Sequence, residues 1–469
     1  MRRAGVLVGT LLLAACGHTG PATHQPSTSA STTGPGGSSY AAARSTPRED
    51  SLYPDVGDPG VDALHYDLDL TWRAPTLSVQ EELVFRSTQT ADHLRLDLAE
   101  PLTVTAASLD ARPVTTSHPG KELVVEAPVT RDRTYTLRLT FAGTPAPVAA
   151  PTRRKDVPAL GFTVEPDGSV WTMQEPYGAF TWYAVNDQPS DKAFYDVAIH
   201  APAPAVGISN GDLVSRTTSA GVTSTHWRLR SPAASYLMTL AIGPYTSTPE
   251  GRATVWTLPT QGPLATRPFD QVPQLLSWLE AKLGPYPFDS LGFVEVGGDS
   301  GMETQTMITL GSAEVDTAPE TLVHELAHQW WGDEVTPSDW RDVWMNEGMA
   351  TYLQSLWQDE AWKLGPGVSI AELAHADAAA RRRWGPPGAP RADSFAAPNV
   401  YDGPAAMWSA LRKRLGDDVF WRLVRGWPAA RAGRATDRAD LIAWFSQQSG
   451  QDLRPFFQQW LMGATPPTH

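Results

Sequence analysis

Apolar and polar positions along this chain follow two different periods. From Tyr53 to about Tyr245 short runs alternate every second residue, as in His65-Tyr66-Asp67-Leu68-Asp69-Leu70-Thr71-Trp72, Leu94-Arg95-Leu96-Asp97-Leu98 and Tyr135-Thr136-Leu137-Arg138-Leu139. That period puts one face of a strand on a core and the other in water. Pro and Gly interrupt the runs, and no fixed-length repeat is present, so this half predicts an antiparallel sheet structure. Beyond roughly Pro249 the spacing becomes helical. There 273–283 reads as a helix, 291–296 and 306–310 as short strands, and 318–331, 344–358, 369–383, 405–415, 417–425 and 438–448 as helices. The expected fold class is α+β in two domains, 51–248 rich in strands and 249–469 mainly helical.

Ahead of both lies a different kind of segment. Arg2 and Arg3 precede an apolar stretch, 4–15, in the layout of an export signal. It is too short to cross a membrane as a permanent helix. Leu13-Ala14-Ala15-Cys16 resembles a bacterial lipobox, in which the cysteine is acylated and becomes the mature N-terminus. Residues 1–16 are therefore expected to be a lipoprotein signal, with an ordinary cleaved signal as the alternative. The Gly-, Pro-, Ser- and Thr-rich stretch 17–50 holds almost no large apolar side chain and predicts a disordered tether. Together these lead to an exported protein anchored at a membrane by lipid on Cys16, its body outside the cytoplasm.

Composition mostly excludes. Among 469 residues there are 37 Lys+Arg against 51 Asp+Glu, a formal charge of −14, which speaks against a nucleic-acid surface. Cys16 is the sole cysteine, so intrachain disulfides and thiolate metal sites are ruled out.

The chemistry concentrates in Thr321-Leu322-Val323-His324-Glu325-Leu326-Ala327-His328-Gln329-Trp330-Trp331-Gly332. His324 and His328 are four apart on a helix, so both imidazoles leave one face a turn apart and can bracket one metal ion. Glu325, beside the first ligand, can reach a water at that metal as general base. Catalytic zinc usually takes three protein ligands, and Glu347 in Asn346-Glu347-Gly348 is the nearest candidate, on a following antiparallel helix. Asp342 could orient a ligand histidine or stand as a solvated loop carboxylate. The bare alternative is a chance HExxH in a structural helix.

His324-Glu325-Leu326-Ala327-His328-Gln329-Trp330-Trp331-Gly332, followed by Trp344-Met345-Asn346-Glu347-Gly348-Met349-Ala350, resembles the aminopeptidase N family of gluzincin zinc metallopeptidases. The likeness runs loosely from Tyr53 to the C-terminus and is dense between Met302 and Tyr401. It implies a saddle-like N-terminal β domain and a thermolysin-like catalytic domain. One Zn2+ would be held by His324, His328 and Glu347, with Glu325 activating water. Ser300-Gly301-Met302-Glu303-Thr304 is similar to the family's Gly-x-Met-Glu-Asn motif, with Thr304 in place of Asn. Glu303 would thus anchor the substrate's α-ammonium, and the strand-like run 302–310 could pair with the peptide. Thr172-Met173-Gln174-Glu175 resembles a Thr-Gln-x-Glu segment, which makes Glu175 a second amine-binding carboxylate; Met173 stands where Gln is common. Tyr401, in Val400-Tyr401-Asp402-Gly403-Pro404-Ala405, matches the family's transition-state tyrosine, although Gly403 and Pro404 depart from the usual Lys/Arg-Gly.

For each of these the plainer role stays open: a solvated carboxylate for Glu303, an interdomain ion pair for Glu175, a helix-capping aromatic for Tyr401. The implied activity is a zinc aminopeptidase acting on peptides with a free N-terminus. A thermolysin-type endopeptidase and a non-catalytic surface lipoprotein that binds partners are the rivals. Asp452-Leu453-Arg454-Pro455-Phe456-Phe457-Gln458-Gln459-Trp460 resembles the end of the family's catalytic region. The helical domain that follows in many members is not matched, which implies a more open cleft.

Overall fold

The period-two half folds around an eight-stranded sheet ordered Asp212–Ser219, Val222–Ala234, Lys192–Pro202, Val61–Arg73, Thr76–Ser87, Thr134–Gly143, Leu102–Leu109 and Arg112–Pro113. The computed structural model describes residues 40–262, 266–311 and 318–467; the signal-like segment, Cys16 and the tether up to Ser39 lie outside them. The strands read from the alternating runs are there, with Val61–Arg73 covering the first and Thr134–Gly143 the third. One pair departs from the antiparallel expectation. Val61–Arg73 runs parallel to Lys192–Pro202, with His65 opposite Phe194. No hairpin joins these distant segments, so nothing in the connection imposes opposite directions. A smaller sheet, Val206–Ile208, Ala241–Gly243, Val170–Met173, Ala159–Val164 and Val148–Ala149, lies beside it and carries the strand that leads to Glu175.

The expected division at 248/249 cuts a strand. Thr246–Glu250 pairs antiparallel with Ala253–Thr257, which continues in parallel to Gly292–Val296 and Met307–Gly311. Helices α1 (Val272–Leu283), α2 (Pro319–His328), α3 (Trp344–Ala361), α4 (Val368–Trp384), α5 (Asp402–Leu415), α6 (Asp417–Arg431), α7 (Arg438–Ser449) and α8 (Arg454–Met462) follow. The molecule is thus a β-rich N-terminal domain followed by a mainly helical one. Pro at the first turn starts α2, and Asp437 caps α7 by accepting from the Asp440 amide at 2.9 Å.

Aromatic side chains bind the helices together. Trp408 of α5 meets Trp331 at 5.5 Å, Phe445 of α7 at 5.7 Å, Phe457 of α8 at 6.1 Å and Trp344 of α3 at 6.3 Å between ring centroids. All five are buried. Such rings bury large areas and pack edge to face, which fixes the angle between helices that carry the site.

The tether expectation reached eleven residues too far. Tyr40 stacks on His65 at 5.5 Å, Ala43 is buried, and the Ser45 amide donates to Asp62 at 2.9 Å. Arg48 pairs with Asp437 at 3.2 Å, and Asp50 accepts from the Trp340 and Tyr53 amides. Composition suggested disorder, but these few side chains find partners on both domains, and that offsets their ordering entropy.

Candidate active site

Helix α2 presents His324, Glu325 and His328 to a cleft of about 720 Å³ between the two domains. The expected helix 318–331 stops at His328, because the next three residues turn inward. Trp331's carbonyl faces His328 Nδ1 at 3.1 Å, and Gly332 takes φ +143° so that Trp331 can bridge Val335. Helix α3 brings Glu347 to the pair. Glu347 Oε2 stands 3.2 Å from His324 Nε2 and 3.4 Å from His328 Nε2.

The donor set fits a divalent cation. His324 Nδ1 faces the Gln354 amide oxygen at 3.1 Å and His328 Nδ1 faces a carbonyl, so each ring donates its proton outward. Both Nε2 lone pairs then converge on a carboxylate oxygen, all within 4.8 Å of one another. Two imidazoles and one carboxylate are a zinc donor set. Burial works against Glu347's charge, yet in the metal-free site the adjoining imidazoles of His324 and His328, once protonated, hold its pKa well below the usual carboxylate range. Burial pulls His324 below its ordinary value; for His328 burial is outweighed by Glu303 and Glu347, and its pKa rises.

Carboxylates crowd the rest of the cleft. Glu303, 3% exposed, brings Oε1 to 3.9 Å from His328 Nδ1. Oxygens of Glu175, Glu303 and Glu347 lie within 4.8 Å of one another, as do ligand atoms of Glu303, Glu325 and His328. Among the described residues, Glu175 Oε1 and Glu303 Oε1 are buried without a hydrogen-bond partner. Burial, then Glu303's charge, pushes Glu325 up to about 8 and raises Glu175 well above its ordinary value. Burial likewise raises Glu303, with His328 opposing. Like charges this close favour a cationic guest.

The run 302–310 is a hairpin and not one strand. Met302 exchanges backbone hydrogen bonds with Thr309 at 2.8 and 3.0 Å, the Gly311 amide donates to Ser300, and the chain reverses at Thr304–Thr306, where Thr306 has φ +63°. The polar triplet stabilises the reversal: Thr304's hydroxyl bonds the Met307 carbonyl and meets the Thr309 hydroxyl at 2.9 Å. Thr304 therefore braces the hairpin, and the edge facing the cleft is 299–303. Gln329 ties this hairpin to α2, its amide donating to the Glu303 carbonyl at 2.9 Å and accepting from the Thr306 amide at 3.0 Å. In the other motif Gln174 points inward, bonded to Ser235, Met238 and Trp182, so Met173 and Glu175 line the cleft without it.

Tyr401 sits at the start of α5, its ring stacked on His324 at 6.2 Å, and lines the cleft. Gly403 and Pro404 are accommodated by close approach: a Cβ on Gly403 would meet Asp377 at 2.5 Å, and Pro404 packs on Gly348 of α3. Asp342 orients no histidine. Its carboxylate pairs with Arg438 and accepts from Trp344 Nε1 at 3.3 Å, joining α3 to α7. Sequence reasoning missed Arg154, whose Nη1 lies 3.3 Å from the Tyr401 hydroxyl. Its only trace there was the basic cluster Arg153-Arg154-Lys155 in an acidic chain.

Comparison with known proteins bears on this arrangement. Residues 62–237 match the peptidase M1 N-terminal domain and 268–460 the peptidase family M1 domain. The chain is 28% identical over 321 residues to aminopeptidase 2 of Candida albicans, covering 62% of this chain and 34% of that one. It is 26% identical over 344 residues to aminopeptidase N of Streptomyces lividans, covering 64% and 39%. It thus spans little more than a third of the length of these curated relatives. Among solved structures, an M1 zinc metallopeptidase from Deinococcus radiodurans matches with a TM-score of 0.80 at 27% identity, over 89% of this chain and 97% of that one. A Glu-to-Ala mutant of an M1 zinc metallopeptidase from the same organism, bound to a Tyr-Ser-Ala substrate, matches with a TM-score of 0.79.

Proposed function

Because the chain belongs to peptidase family M1, we propose that it is a zinc-dependent aminopeptidase, removing residues one at a time from peptides with a free N-terminus. One observation carries this reading: Glu175 and Glu303 hold buried oxygens with no hydrogen-bond donor among the described residues, beside the His324, His328 and Glu347 set. An α-ammonium has three N–H donors and a positive charge, which both carboxylates lack. A thermolysin-type endopeptidase needs no such anchor. The names of the aminopeptidase relatives and the peptide-bound neighbour point the same way.

Zinc held by His324, His328 and Glu347 supplies a Lewis acid for the carbonyl and for water. The chain's own residues do the rest. Glu303 and Glu175 fix the ammonium, which leaves the first peptide bond beside Tyr401. The Tyr401 hydroxyl donates to the carbonyl oxygen as its charge develops. Glu325 takes a proton from the attacking water and returns it to the leaving amine.

Turnover of a panel of aminoacyl reporter amides, with and without chelator, tests the reading, each amide paired with its N-acetylated twin. Release from free amines alone, abolished by chelator and regained with zinc, is expected. Equal turnover of the acetylated twins would make the protein an endopeptidase, and no release from any amide with zinc present would end the proposal. From the lipobox-like Leu13-Ala14-Ala15-Cys16 and the Gly/Ser/Pro-rich stretch after it, we further propose that the catalytic body lies outside the cytoplasm on a lipid-bearing Cys16. C16A should then move the protein from the membrane to the soluble fraction.

A further inference from the structure

Arg154 stands in the cleft without a part in those steps. It arrives on residues 150–158, which leave the strand Val148–Ala149 in the N-terminal domain and cross to the catalytic one. The crossing is anchored by the three residues just before Arg154. The Phe395 amide donates to the Pro151 carbonyl at 3.0 Å, Thr152's hydroxyl donates to the Phe395 carbonyl at 2.7 Å, and Arg153 pairs with Asp393. Arg154 itself pairs with Asp156, donates from Nη2 to the Ser300 hydroxyl at 2.9 Å and from Nη1 to the Tyr401 oxygen at 3.3 Å.

We propose that Arg154 is a positioning residue for Tyr401, directing the phenol proton at the substrate carbonyl. The inference rests on the role given to Tyr401 above. A phenol oxygen carries one proton and two lone pairs, whereas a guanidinium only donates. With Arg154 donating into the oxygen, the Tyr401 proton cannot turn toward it and stays available to the cleft. The positive charge beside the oxygen also makes that proton a stronger hydrogen-bond donor. Asp156 and Ser300 hold the guanidinium in place, so its orientation is fixed before substrate arrives. Arg154 acts through Tyr401, and its loss should therefore disappear when Tyr401 has no hydroxyl.

A double-mutant cycle reads this directly. Steady-state kinetics on a free-amine reporter amide are compared for wild type, R154M, R154K, Y401F and R154M/Y401F, with zinc content and melting temperature recorded for each. In the Tyr401 background R154M should lower kcat by about 10- to 100-fold with KM within about 3-fold. In the Y401F background the same change should alter kcat by less than about 3-fold, because coupled residues are non-additive. R154K, which keeps the charge but not the fork, should recover part of the loss and carries the comparison if R154M melts early. Equal losses in both backgrounds, a loss confined to KM, or no loss overturns the assignment. A wild type that releases no residue overturns the aminopeptidase reading and this one with it; an active wild type with additive losses overturns this one alone.

Discussion

At the scale of the residue, the site depends on atoms that are missing as much as on those present. A Cβ on Gly301 would lie 2.5 Å from Glu325 Oε1. The added methyl must displace the Glu325 carboxylate, while the zinc ligands keep their places. G301A should therefore lower kcat by about 10-fold or more through misplacement of the base. Zinc content should stay unchanged; loss of metal together with activity would point to a wider collapse. Glu325 and the histidines were legible because their spacing is local and helical, and Glu347 because it lies on the helix that follows theirs in the chain. Arg154 was not, because it meets Tyr401 across 247 residues and no short motif records such a contact.

Among the elements, helix periodicity located α2, α3, α4 and α5 within a few residues, while their ends followed tertiary contacts. Helix α6 runs to Arg431, past Pro428 and beyond the expected 417–425, since buried Phe420, Leu423, Val424 and Trp427 hold it on the core. The Gly403-Pro404 pair looked like an anomaly in the sequence, and the packing of α3 on α5 accounts for it. Pro404 Cβ would lie 2.3 Å from a Cβ on Gly348, next to Glu347, so only glycine permits this approach. Gly348→Ala should wedge the helices apart and destabilise the fold by about 1–3 kcal/mol, as overpacking does. Since the wedge separates Glu347 from Tyr401, zinc affinity should weaken too. Denaturant midpoints and a competitive chelator titration measure both. Wild-type values for the two would mean that the interface adapts, and that Pro404 does not depend on the glycine.

For the whole molecule, the site exists only where the two domains meet, because Glu175 and Arg154 come from one and the zinc set from the other. Sequence composition could not foresee how the domains are joined, since the contacts are tertiary: residues 40–50 were read as tether, yet Arg48 and Asp50 reach the catalytic side. Lys192 makes a second joint. Its ammonium, 1% exposed, donates to the carbonyls of Asp333 at 2.6 Å and Glu334 at 3.3 Å, just beyond α2. Burial lowers its pKa from 10.5 to about 8, with Glu334 and Asp333 opposing. Below about pH 8 the amine is charged in both the folded and unfolded states, so its effect on stability is constant there. Between about 8 and 10.5 the unfolded chain binds the extra proton, and stability rises with pH. Relative to K192M, wild type should therefore gain about 2 kcal/mol between pH 7 and 9.5, at about 1.4 kcal/mol per pH unit above the folded value. Denaturant midpoints of the two proteins at both pH values give the difference. A gap that does not change with pH would mean that water reaches the ammonium, and that the domains part at this joint in solution.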